Sequence, residues 1–461
     1  MSKPTDKASI SADDSPRLRV SMSPHPDAPI ARRFSSHIAW TFASRLLMMV
    51  NSVGAGVIVA RWLGAEGLGA LAVVNVAVAT VIQLSSLGLP SANTYFIARD
   101  ERRFLAPAAI NSLLFAVAGG GVLALGLTLL ALKQPGLFGY ISPKLIGIAA
   151  ISIPFQLLTL LGLNIFLAVG RIDRFNQLDV AGQSLVLINA LVALVLLGSG
   201  LWTLVSLNTA AAIVVSLLIV WLIGRRITER EGKTKGRPDF DLFKQMMNYG
   251  IKFHVATLAG LLIFRADLLV VNHFRGAAQA GVYSVASQVA MMLMVLPGVI
   301  ATLLFPRVTA EQKARRDQLT CRASRHTTLL MLCVAIAVVP ASFALPFLYG
   351  APFADATIQL LILLPGVCLV SIESVLVQYF SATGLPAAIP LFWLLTLFVN
   401  ICLTFALVPN FGARGAALAS TISYALIFVL VALYFRAKTG NTLSNMLLLR
   451  AEERRTLLKK A

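Results

Sequence analysis

The sequence predicts an all-α polytopic membrane protein, with twelve transmembrane helices in two six-helix lobes related by an internal parallel repeat. Three observations carry this. Of 461 residues, 57% are hydrophobic and only 13% charged, and the mean hydropathy is +0.81, a balance foreign to soluble domains. The apolar residues gather into runs of about 20, the length a helix needs to cross the hydrocarbon, where only helices and closed barrels satisfy every backbone group. Finally, a short pattern recurs some 210 positions further along: Gly64-Ala65 with Gly69, then Gly276-Ala277 with Gly281.

In chain order, Met1 to Ser36 is rich in Ser, Pro, Asp and Lys and has no apolar core. It reads as a disordered cytoplasmic tail, neither a signal peptide nor a domain. Six spans follow within 37–224, at approximately His37 to Ala60, Leu68 to Ile97, Leu105 to Leu132, Leu145 to Val169, Leu178 to Leu197 and Trp202 to Gly224. The polar stretch 225–248, with Gly, Lys and Pro238, reads as the linker between lobes. A second set fills 249–436: Tyr249 to Phe274, Ala280 to Phe305, Thr327 to Leu348, Thr357 to Ala382, Pro386 to Val408 and Gly415 to Phe435. In 437–461, Leu443, Met446 and Leu447 alternate with Arg450, Arg454 and Arg455, the pattern of a basic helix lying on an acidic leaflet.

Lys and Arg orient these spans. One side collects Arg32, Arg33, Arg99 to Arg103, Arg171, Arg174, the Arg225 to Lys244 loop, the Arg307 to Arg325 loop and the tail from Arg436, while the other holds only Arg61, Lys133, Lys144, Arg275 and Arg414. Both termini are therefore expected in the cytoplasm, as in a multi-pass protein of a bacterial inner membrane. Six helices per copy is an even number, so both copies enter the membrane the same way round, with an axis along the membrane normal. Asn189 and Asn400 match in the same sense.

The net charge of +19 follows from these topology-setting loops; it fits anionic phospholipids as partners and not nucleic acid. Four cysteines form neither a disulfide framework nor a zinc spacing, and the histidines are too dispersed for a metal site. Nucleotide-binding and hydrolase motifs are missing from the chain, so it reads as a non-enzyme without cofactors.

The most informative stretch is Tyr249 to Phe274, which reads as a span yet carries Lys252, His254, Arg265 and Asp267. An ionised group deep in hydrocarbon costs roughly 2.5 to 3.5 kcal/mol on insertion scales, so it faces a bundle interior, water or a partner. Residues two apart on a helix point to nearly opposite sides, so Arg265 and Asp267 cannot form a simple pair. Either Arg265 snorkels while Asp267 binds a neighbouring helix, or one of them lines a polar cavity.

Phe264-Arg265-Ala266-Asp267-Leu268-Leu269-Val270, followed by Gly276 and Ala280-Gly281-Val282-Tyr283, resembles the oligosaccharide flippases. So do Val59-Ala60-Arg61-Trp62-Leu63-Gly64, Gly67-Leu68-Gly69, and Leu87-Gly88-Leu89 leading to Tyr95-Phe96-Ile97-Ala98-Arg99. These polysaccharide-biosynthesis exporters belong to the multidrug/oligosaccharidyl-lipid/polysaccharide exporter superfamily. The resemblance covers approximately Arg32 to Phe435, and implies two lobes around a cationic central cavity. It further implies transfer of a lipid-linked oligosaccharide, such as a polyprenyl-pyrophosphate glycan for surface polysaccharide, from the cytoplasmic to the outer leaflet.

Such cargo needs a hydrogen-bonding path, because each unpaired hydroxyl or amide costs several kcal/mol in hydrocarbon. Cations would draw in the pyrophosphate. The candidate substrate-binding residues are Arg45, about eight residues into the first helix, with Arg265, Asn51 and Asp267. Glu373, deep in the tenth span, and Asp267 are the ion-coupling candidates. The expected molecule is a monomeric transporter, with polysaccharide polymerase or assembly proteins as candidate partners. The rivals are an ion-coupled drug or metabolite antiporter of the same superfamily and a membrane-embedded polymerase or ligase; the latter needs a large outer loop, and no loop here is long enough.

Overall fold

The computed structural model describes residues 28–139, 141–231, 237–449 and Glu453, and for 28–39, Arg230, Glu231, Lys252 and Phe253 it describes the backbone alone. The predicted tail lies outside them up to residue 27, as do residues 232–236 of the predicted linker and Arg450, Arg454 and Arg455 of the predicted basic helix. Among the described residues every regular element is helical.

Among the described residues nine continuous stretches are long and apolar enough to cross a membrane, but three of these, of 47, 57 and 52 residues, are far too long for one crossing. Each bends sharply at a glycine in the left-handed region: Gly64 (φ 68°), Gly276 (φ 81°) and Gly412 (φ 59°). Dividing the three at these bends gives twelve segments. The first copy comprises α1 (28–63), α2 (65–99, interrupted by a turn at Leu87 and Gly88), α3 (Glu101–Lys133), α4 (Pro143–Ala168), α5 (Ile172–Leu196) and α6 (Leu201–Glu231). The second comprises α7 (240–275), α8 (277–310), α9 (Lys313–Ser342), α10 (Ala354–Ala382), α11 (388–411) and α12 (413–439).

The first two bends are equivalent positions, 212 residues apart, and each turns the chain from the first to the second helix of its copy. The matched asparagines also play matched parts. Asn189 donates to Asn208 Oδ1 at 3.0 Å, and Asn400 to Ser423 Oγ at 3.1 Å, so each ties the fifth helix of its copy to the sixth. Interhelical bonds of this kind contribute on the order of 1 kcal/mol in a membrane.

Helices run past the predicted spans on the face that carries the basic loops, hereafter the basic face. There the charges find partners, as where Arg226 on α6 bonds Glu101 on α3 at 2.8 Å. Within the predicted linker, α7 already begins at Phe240, because Asp239 caps it by accepting from the Leu242 amide at 2.9 Å. Leu242 and Met246, one turn apart, are buried in a core made by the first copy, including Leu89, Phe96, Leu105 and Leu157. The first turns of the second lobe are thus rooted in the first.

After α12 a five-residue helix, Leu443–Leu447, folds back on the protein. Met446 is fully buried, and the buried Arg325 of α9 grips Glu453 through two bonds of 2.8 and 2.6 Å and the Asn445 carbonyl at 2.6 Å. The described part of the predicted surface helix therefore docks onto α9.

Candidate functional site

A cavity of about 410 Å³ lies between the two lobes, walled by α1, α2, α5 and α6 on one side and by α7 and α8 on the other. Its lining mixes apolar side chains such as Leu68, Val76 and Phe264 with Ser52, Asn75, Gln183, Asn208, Ser284 and Gln288. Among the described residues, charge in the lining is confined to Arg265 and Asp267.

The two charges are held differently. Asp267 is 3% exposed and accepts from Tyr283 Oη on α8, from Ser420 Oγ on α12 at 2.8 Å and from the Leu268 amide at 2.8 Å. It therefore bolts α7 to two neighbouring helices, and a carboxylate with three donors is well satisfied. Arg265 is half-buried and makes no hydrogen bond or ion pair among the described residues. Beside it, the Phe264 ring packs against Tyr424 (5.2 Å) and Trp393 (6.2 Å), which fixes this turn of α7 within its lobe.

Arg45 does not line this cavity. It lies 3.4 Å from Asp179 on α5, one of three polar rungs joining α1 to α5; the others are Asn176 to Thr41 and Asn51 to Ser184, both 2.8 Å. Asn51 is thereby a buried tie. Glu373 lies on α10, away from the cavity lining, 2% exposed and with one carboxylate oxygen lacking a partner among the described residues. Arg265 and Asp267 are thus the predicted site residues that the fold brings together at the cavity.

On the face opposite the basic one, the lobes close over the cavity through paired contacts. Arg61 of α1 donates to the carbonyls of Leu348 (2.9 Å) and Phe347, and His273 Nδ1 of α7 lies 3.0 Å from the Gly136 carbonyl. His273 is 212 positions after Arg61, and Leu348 is 212 after Gly136, so one contact is the other's equivalent. Between them, a Cβ on Gly69 would overlap the Ala277 carbonyl oxygen, and one on Gly281 would overlap that of Ala65. These four residues are again related by 212 positions, as in a twofold interface.

At the basic face, α2 and α7 also touch. Gly88 and Gly250 meet backbone to backbone, Ser86 Oγ and His254 Nδ1 are 3.5 Å apart, and the rings of Tyr95 and Tyr249 stack at 4.4 Å. Midway, Gln288 of α8 donates to Ser52 Oγ of α1 at 2.7 Å. Sequence reasoning missed the partners Asp179, Tyr283 and Ser420, and missed Gln183 altogether. A constant 212-residue offset, followed past the glycines, would have found the Arg61 and His273 contacts.

Comparison with known proteins places this architecture. The model of a family described as polysaccharide biosynthesis protein matches residues 30–312. A probable low-salt glycan biosynthesis flippase, Agl15 of Haloferax volcanii, is 25% identical over 207 residues, 43% of each chain, so the match spans less than half of that curated relative. Among solved structures, an inward-facing multidrug resistance MATE family transporter of the MOP superfamily overlays with a TM-score of 0.73 at 16% identity, over 87% of this chain and 98% of that one. The lipid II flippase MurJ, in an inward closed conformation, overlays with a TM-score of 0.68 at 16% identity, over 89% of this chain and 88% of that one. At such identity these overlays establish the fold. The family match runs over more than half of the chain, and the protein belongs to the polysaccharide biosynthesis protein family.

Proposed function

We propose that this protein carries a lipid-linked oligosaccharide from the cytoplasmic to the outer leaflet of the inner membrane, for surface polysaccharide biosynthesis, by alternating access of its two lobes. The observation that supports this best is Arg265, a cation that makes no hydrogen bond or ion pair among the described residues and lines a polar cavity shared by both lobes, with Asp267 as its electrostatic neighbour. A guanidinium recognises phosphate oxygens through several N–H donors at once. In this reading Arg265 meets the phosphate next to the lipid, while the neutral amides and hydroxyls replace the water lost by the sugars. The lipid tail stays outside. Arg45, paired with Asp179 but 44% exposed, serves as an earlier contact for the same phosphate on the cytoplasmic side.

Two results test this. Arg265→Ala should lower polymer export at least tenfold at wild-type abundance in the membrane, and Arg45→Ala should lower it less; unchanged export in the Arg265 variant removes the phosphate role. In the topology that goes with it, the basic face is cytoplasmic. Reporter fusions after Arg230 and after Ala461 should both report cytoplasm, and an outer location for either breaks the assignment.

Glu373 favours ion coupling as the driving force. A buried carboxylate oxygen without a donor among the described residues is costly unless a proton or cation occupies it; Asp267, the other ion-coupling candidate, already has three donors and lacks this feature. That coupling would equally serve an antiporter for drugs or metabolites, the second reading.

A further inference from the structure

We infer that the glycan handled by this cavity is electrically neutral, built of hydroxyl- and acetamido-bearing sugars, and that acidic sugars such as uronates are excluded. This rests on the flippase reading and specifies its cargo. The argument starts from the count of charges. Arg265 and Asp267 are the charged residues of the lining, and Asp267 is saturated by three donors from its own lobe. Arg45, the other predicted phosphate contact, is outside the lining and held 3.4 Å from Asp179. Once Arg265 engages the phosphate, the lining found among the described residues holds no second cation for a sugar carboxylate.

The neutral groups have the opposite character. Asn75 and Gln183 are exposed to the cavity and make no hydrogen bond among the described residues. Asn208 accepts from Asn189 through its oxygen, which leaves its amide nitrogen for a ligand. Each free amide is both donor and acceptor, as are sugar hydroxyls and acetamido groups, so the two sets can satisfy one another completely. An ionised carboxylate only accepts. Facing these amides it would gain a few N–H donors, meet their carbonyl oxygens and the nearby Asp267, and lose its hydration in a site whose cation is already engaged by the phosphate, which is strongly unfavourable. Selectivity then comes from the cost imposed on the wrong cargo. The apolar share of the wall, Phe264 and Val76 among it, suits the C–H faces of pyranose rings and acetamido methyls.

The test uses the full chain in vesicles of phosphatidylethanolamine and phosphatidylglycerol. The probes are two polyprenyl-pyrophosphate tetrasaccharides, identical except that one glucose is replaced by glucuronate, and transfer is followed by access to an external glycosidase. The neutral lipid should cross at least tenfold faster. Gln183→Arg, which adds a cation facing the cavity, should raise the rate for the acidic lipid severalfold and narrow the ratio. Equal or faster transfer of the acidic lipid by the unmodified protein overturns the neutral-cargo inference and leaves the flippase reading intact. Transfer of neither lipid, from protein that is folded and inserted, removes the flippase reading and this inference with it.

Discussion

Replacing Gly281 by valine should hold the two lobes apart at the face opposite the basic loops and reduce export to less than a tenth of wild type. The Cβ alone would overlap the Ala65 carbonyl oxygen, which is main chain and cannot rotate away. Valine adds two methyl groups to that conflict. The lobes must then separate at this point, and the Arg61 and His273 contacts beside it go with the seal. A cysteine at Gln288, which lines the cavity, should become reactive towards a membrane-impermeant maleimide added from that side, in a background whose native cysteines are replaced by alanine. Gly69→Val should act in the same way through Ala277. Gly126→Val is the control, since nothing lies within 4 Å of its Cβ position. Wild-type export and unchanged labelling in Gly281→Val would mean that this contact is not the closure.

Removing the carboxylate of Asp267 should be the most damaging change to stability within the second lobe. Asp267→Ala deprives Tyr283 Oη and Ser420 Oγ of their acceptor, and these residues are 1% and 0% exposed. A buried polar group left without a partner costs about 1–3 kcal/mol, and the bolt joining α7 to α8 and α12 is lost as well. The detergent-purified variant should unfold several degrees below wild type. Asp267→Asn keeps an oxygen for Tyr283 and should recover part of the loss. If the alanine variant melts with wild type, the carboxylate is not holding these helices.

Much of the fold is legible in the sequence because a bilayer leaves few choices: apolar runs of the right length must be helices, and charge must stay at their ends. The Gly64-Ala65/Gly69 pattern and its later copy are legible for a sharper reason. Gly69 and Gly281 are where the two copies approach most tightly, and no side chain fits there. Spacing could not give the identity of partners across helices. Asp179 lies in a span whose surroundings carry no sign of Arg45, and Ser420 sits in a small-residue stretch that would suit any tight packing. The cavity face was equally hidden, since in a membrane the outward face of a helix is as apolar as its packed one, and Asn75 and Gln183 look like any scattered polar residues. The start of α7 was readable in principle: Asp239 is an ordinary cap, and Leu242 with Met246 marks one apolar face. The polar residues around 225–248 outweighed that signal.

The covalent link between the copies changes what their meeting surface has to achieve. Two separate six-helix chains would have to find each other by diffusion, and only a broad, tenacious interface would keep them together. Here α7 is already seated in the first lobe through Leu242 and Met246, so each half faces its partner at a local concentration on the order of millimolar, as for short tethers. With the halves tethered in this way, the carbonyl bonds of Arg61 and His273 and the close contacts of Gly69 and Gly281 can break and re-form without either half losing the other.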